Sequence, residues 1–100
     1  MTTSGESTRD PREELMECRN AIEVVDRRIV ALLAQRVTLG LRAATAKRQA
    51  GLPITDAARE ADVLANVATA AGEHGLSADS VRQIFQRVLT MSRQAQEEAR

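Results

Sequence analysis

Residues 10–50 read DPREELMECRNAIEVVDRRIVALLAQRVTLGLRAATAKRQA, with no glycine except Gly40 and no proline after Pro11. Within this stretch Leu15, Cys18, Ile22, Val25, Ile29, Leu32, Arg36, Leu39, Ala43, Ala46 and Ala50 recur at alternating spacings of three and four, a heptad seam on one long helix. At 1.5 Å per residue, about 40 residues make a rod of roughly 60 Å, whereas a compact 100-residue globule has a radius of gyration of only about 13 Å. The chain is too short to cover such a rod. Its apolar stripe requires a partner, and a second copy of the chain is the simplest one.

Arg36 occupies a seam position where an apolar side chain is expected. A buried guanidinium without an anion is costly, so such a residue is paired or binds a ligand. Lys47 lies three helical turns further on and returns to nearly the same face. Arg19 is about a quarter-turn off that face and roughly 25 Å away along the axis, too far for one small ligand to reach it and Arg36 on the same helix. In an antiparallel pair, Arg19 of the second copy could approach instead. Charge periodicity alone favours the plainer reading, a solvated basic face.

Outward from the long helix, Asp10 suits an N-cap, Pro11 the first helical position, and Glu13 a capping box. Residues 1–9 are polar and expected to be a frayed tail, leaving 10–100 as one helical domain. Gly51 is a natural helix stop, followed by Pro53. Asp56 then caps a second helix whose stripe runs Glu60, Val63, Leu64, Val67 and Ala71. Asp56 and Glu60 share a face, with Arg59 beside them. The helix dipole accounts for Asp56; it accounts less well for Glu60, which extends the apolar stripe. Gly72 and Gly75 close this helix, with His74 expected in a helix-end role. Ser77 caps a third helix with Val81, Ile84, Phe85, Val88 and Leu89 on its buried face. Ser92 and Gln96 continue that face, which taken alone favours a frayed end over a polar cavity. The expected fold class is therefore all-α: one long helix and two shorter ones.

Composition excludes several function classes. Fourteen basic and fourteen acidic side chains cancel, so nothing drives the chain toward nucleic acid or anionic lipid. Phe85 is the single aromatic residue, too few for base stacking. One cysteine, Cys18, and one histidine, His74, supply neither a disulfide framework nor a metal cluster. No apolar run long enough for a membrane span and no signal-peptide core are read in the sequence, which points to a cytoplasmic protein without membrane contact.

Each helix thus places polar groups on an otherwise apolar face. Several cations beside a few carboxylates, a hydroxyl and a carboxamide suit a small dicarboxylate. There is no activated nucleophile, so catalysis would rest on restraint and electrostatic stabilisation. The ordered set Arg19, Ile22-x-x-x-Asp26, Leu32-Leu33-Ala34-Gln35-Arg36, Lys47, Asp56-x-x-Arg59-Glu60, Gly75-Leu76 and Ser92-x-x-x-Gln96 resembles the all-helical chorismate mutase family. The resemblance covers about Leu15 to Gln96, without insertion relative to the compact bacterial type.

The resemblance implies an interlocked six-helix homodimer with two sites built from both chains. It implies conversion of chorismate to prephenate by a Claisen rearrangement, for aromatic amino acid synthesis, without a cofactor or metal. By similarity, Arg36 and the Arg19 donated across the interface would hold the two substrate carboxylates. Lys47 and Gln96 would hydrogen-bond the ether oxygen, Glu60 and Asp56 would meet the ring hydroxyl, and Arg59 and Ser92 would complete the carboxylate side. Two other activities use this fold, isochorismate-pyruvate lyase and 4-amino-4-deoxychorismate mutase. The lyase pattern departs from Asp-x-x-Arg-Glu, which this chain keeps, while Glu60 could pair with an ammonium as readily as with a hydroxyl. A non-enzymatic dimerisation module gives no reason for Arg36, Glu60, Ser92 and Gln96 to sit on apolar stripes. At this length no fused dehydratase, dehydrogenase or regulatory domain is expected.

Overall fold

The computed structural model describes residues 9–99. They form three helices, α1 (Pro11–Ala50), α2 (Ala57–Glu73) and α3 (Ala78–Glu98), and no strand occurs among the described residues. The all-α reading holds. Of the tail expected over residues 1–9, all but Arg9 lies outside the described residues. Arg9 itself is held at the start of α1, its Nη1 donating to Glu14 Oε1 at 2.6 Å and to Glu17 Oε1 at 2.5 Å. These pairs are exposed, a setting in which ion pairs add little stability.

The helix ends follow from local chemistry. Asp10 accepts from the Arg12 amide at 3.0 Å, Asp56 from the Arg59 amide at 3.0 Å, and Ser77 from the Ser80 amide at 3.2 Å. Each satisfies an amide that has no acceptor within its own helix. α1 stops where Gly51 takes φ +72°; the Leu52 amide then donates back to Lys47 O at 2.8 Å and the Gly51 amide to Arg48 O at 3.2 Å. α2 closes the same way at Gly75, with φ +71° and the Leu76 amide on Ala71 O at 2.8 Å. This paired bonding needs a left-handed residue, which glycine adopts without steric cost. His74 is the C-cap, as expected, and Gly72 lies in the last turn of α2, its carbonyl accepting from the Gly75 amide at 3.2 Å.

The chain divides into two compact units, Met1–Leu32 and Leu33–Arg100. In the first, the described residues are the start of α1, and its apolar stripe is exposed: Leu15, Ile22, Val25, Ile29 and Leu32 are 48–61% accessible. In the second, α2 packs on α3, burying Val63 and Ala71 against a face that includes Val88 and Leu89. The rest of α1 buries Ala44, a residue off the heptad seam. Ile84, expected on the buried face of α3, is 59% accessible. Val81 and Phe85, on either side of it in sequence, are half-buried, so Ile84 lies at the open edge of that face.

α1 overturns one premise of the membrane reading, that no apolar run is long enough for a span. It contains an 18-residue stretch long and apolar enough, by length and composition alone, to cross a membrane. The two arginines of IVALLAQRVTLGLRAATA (residues 29–46) are too few to lower the average, because aliphatic residues and alanines surround them.

Candidate active site

Three segments of the second unit converge on one cavity of about 390 Å³. The later part of α1 contributes Arg36, Gly40 and Lys47; the loop and first turns of α2 contribute Asp56, Arg59 and Glu60; α3 contributes Ser92, Arg93 and Gln96. Leu39, Ala43, Val63 and Leu89 supply apolar wall. The volume falls in the range of small-molecule sites, as does the mix of apolar wall and a few convergent polar groups.

Ser92 is 6% accessible, and its hydroxyl accepts from Arg36 Nη1 at 3.1 Å. A buried hydroxyl needs such a partner, and here it orients the half-buried guanidinium. Lys47 Nζ donates to Ile54 O at 3.2 Å, which uses one of its three donors. Gln96 Nε2 reaches Gly40 O at 3.5 Å, a long and weak bond. A Cβ at Gly40 would lie 3.5 Å from Gln96 Nε2 and 3.9 Å from Ser92 Oγ, ordinary contact distances. Asp56 is engaged through its cap on the Arg59 amide, so the same hydrogen bond that starts α2 fixes a carboxylate at the cavity rim.

Two expectations fail here. Ser92 and Gln96 are not a frayed end: α3 continues to Glu98, with Ser92 buried and Gln96 partly so. Arg36 and Lys47 are not a solvated face, since both are partly buried and line the cavity. The solvated reading fits Arg19, which is exposed on the first part of α1 and is not among the cavity-lining residues. Seven of the eight residues singled out from the sequence are thus brought together.

Arg93 was missed. Its Nη1 donates to both carboxylate oxygens of Glu60, at 2.7 and 2.6 Å, joining α3 to α2 across the cavity. An arginine on a helix usually faces water, so composition gives no warning of it. The available signal was position: it follows Ser92 directly and precedes Gln96 by one turn. With it, the cavity carries Arg36, Lys47, Arg59 and Arg93 against Asp56 and Glu60, a formal excess of two positive charges.

The family described as chorismate mutase type II matches residues 18–97, a span that includes every cavity residue. A chorismate mutase of Methanocaldococcus jannaschii is 34% identical over 74 residues, covering 74% of this chain and 75% of that protein. A bifunctional chorismate mutase/prephenate dehydratase of Enterobacter agglomerans is 34% identical over 80 residues, covering 80% of this chain and 21% of that protein. The corresponding bifunctional protein of Escherichia coli is 32% identical over 75 residues, 75% of this chain and 19% of that protein. The chain therefore spans about a fifth of the length of the bifunctional relatives it matches. From the span of the family match and the similarity to a protein of comparable size, the chain belongs to the chorismate mutase type II family.

Proposed function

We propose that this chain is an isomerase that converts chorismate to prephenate by Claisen rearrangement, as a cytoplasmic homodimer serving aromatic amino acid biosynthesis. The observation that carries the reading is the cavity's excess of two positive charges, which matches a dicarboxylate. Family membership supplies the identity of that dicarboxylate.

In this reading Arg36 holds one substrate carboxylate, with Ser92 fixing its direction from behind. Arg59 lies on the same carboxylate side, and Arg19 of the second copy grips the other carboxylate. Clamping both ends selects the compact conformer in which the reacting carbons meet, an orientation effect. As the C–O bond breaks, the ether oxygen gains negative charge. Lys47, with donors to spare beyond Ile54 O, and Gln96, held only weakly by Gly40 O, both turn to it. Interactions that strengthen with developing charge act on kcat. Glu60 and Asp56 meet the ring hydroxyl, whose single proton goes to one of the two carboxylates. No nucleophile and no cofactor enter the reaction.

The second copy covers the seam. Leu15, Ile22, Val25, Ile29, Leu32 and Leu39 are each about half exposed or more in one protomer. Two such stripes laid together in an interlocked six-helix dimer bury them and bring Arg19 to the neighbouring cavity. Membrane insertion of residues 29–46 would place Arg36 and Arg42 in hydrocarbon, at a cost of several kcal/mol; the proposed site uses Arg36 instead.

Assay of the purified protein with chorismate, isochorismate and 4-amino-4-deoxychorismate tests the reading. Prephenate from chorismate is the expected product. Release of pyruvate from isochorismate as the dominant reaction, or no turnover of any of the three, contradicts it.

A further inference from the structure

Glu60 does not face the cavity as a lone carboxylate. A single nitrogen of Arg93 bridges its two oxygens, at 2.7 and 2.6 Å. Arg93 is itself steadied on α3, its Nη2 donating to Thr90 Oγ1 at 3.3 Å while that hydroxyl donates to Gln86 O at 3.0 Å. Glu60 is anchored from the other side by α2, where Val63 is buried less than a turn away. The pair is therefore a feature of how α2 and α3 pack.

We propose that Arg93 is a specificity-determining residue: by neutralising Glu60, it selects a substrate ring bearing a hydroxyl over one bearing an ammonium. This rests on the reading that Glu60 meets the ring substituent. The chemistry differs for the two substituents. An ionised carboxylate offers about four lone-pair sites, and the Arg93 nitrogen occupies only two of them. A hydroxyl needs one of the remainder and brings no charge. An ammonium at the same place meets a carboxylate whose charge is already balanced, and it meets the guanidinium that balances it. Selectivity of this kind comes from a repulsive element set against the competitor. The Glu60 and Arg93 side chains are 30% and 45% accessible, so solvent moderates the repulsion. An effect on the order of tenfold fits a partly solvated charge contact.

The test compares kcat/KM for chorismate and for 4-amino-4-deoxychorismate in the full-length protein. Arg93→Met keeps the apolar stem and removes the charge; Arg93→Lys keeps the charge and loses the fork. The wild type is expected to favour chorismate. In Arg93→Met the chorismate preference should fall on the order of tenfold, with the amino compound gaining. Arg93→Lys should hold the preference close to wild type. Arg93→Gln repeats the neutralisation with a polar side chain, and unchanged helicity by circular dichroism checks folding. An unchanged preference in Arg93→Met and Arg93→Gln, with chorismate still turned over, overturns the proposal alone. So does a preference lost equally in Arg93→Lys, since the charge is then not the cause. A wild type that turns over neither compound overturns the mutase reading itself and this inference with it.

Discussion

Between Pro11 and Leu32, α1 leaves Leu15, Ile22, Val25, Ile29 and Leu32 at 48–61% accessibility; between Leu33 and Ala50 it gives Arg36, Gly40 and Lys47 to a cavity and buries Ala44. The same heptad pattern runs through both stretches. It specifies a surface that will be covered, and it does not say by what. In the later stretch, Arg36 interrupts the pattern and finds Ser92 on α3. The earlier stretch has no such interruption, and in the proposed dimer a second chain covers its apolar stripe. On that proposal one helix divides by the partner of each part: a ligand and its own protomer for one, another protomer for the other.

The largest effect expected comes from spoiling the earlier stretch. The double substitution Ile22→Glu with Ile29→Glu puts like charges on the stripe, where two copies would meet. Sedimentation at micromolar concentration should then report the 10.9 kDa single chain, against about twice that for wild type, and activity should vanish. A fully active dimeric variant would mean that the stripe is not the interface.

A smaller but sharper effect is expected at the later stretch, where Gln96 approaches Gly40. A carboxamide donates at any ordinary pH, whereas Gln96→Glu donates only when protonated. The excess of cations in the cavity favours its carboxylate form, so this variant should be poor at neutral pH and gain activity as pH falls, until acid unfolding or substrate protonation intervenes. Wild type should vary much less. Gln96→Ala should be slow throughout, by on the order of 10²–10³ in kcat. Wild-type rates and pH profiles in both variants would return Gln96 to the role of a helix end.

The smallest effect is expected from Gly40→Ala. The added Cβ would make only ordinary contacts with Gln96 and Ser92. Removing a glycine from a helix interior is worth about 0.5–1 kcal/mol. The variant should melt a few degrees higher and keep most of its activity. A large loss of kcat without loss of stability would show that the close approach at Gly40 is needed for catalysis.

Much of this arrangement was legible in the sequence because it is locally encoded. Asp10, Asp56 and Ser77 cap helices through side chains two or three residues from the amides they serve. Gly51 and Gly75 end helices for a reason confined to their own φ angles. The site residues were legible because polar side chains on apolar stripes are conspicuous, and Arg36, Glu60, Ser92 and Gln96 all reach the cavity. What was not legible depends on packing between elements. Periodicity placed Ile84 with Val88, but not which edge of that face stays open while Val81 and Phe85 are half-buried. Whether Ser92 and Gln96 fray or point inward depends on Arg36 and Gly40, more than fifty residues away. Arg93 looked like any exposed helical arginine until α2 set Glu60 against it.

The central claim is that each cavity is completed by a second copy of the chain, through Arg19. Arg19→Ala and Arg36→Ala, prepared separately, should each be nearly inactive while keeping wild-type helicity. Mixed in equal amounts and co-refolded, they should form heterodimers in which one site carries both substitutions and the other carries neither. Random pairing then restores about a quarter of wild-type activity, since half the dimers each regain one of two sites. No recovery, with heterodimers verified by mass, would contradict the shared site and place Arg19 outside it or within the same chain's own cavity.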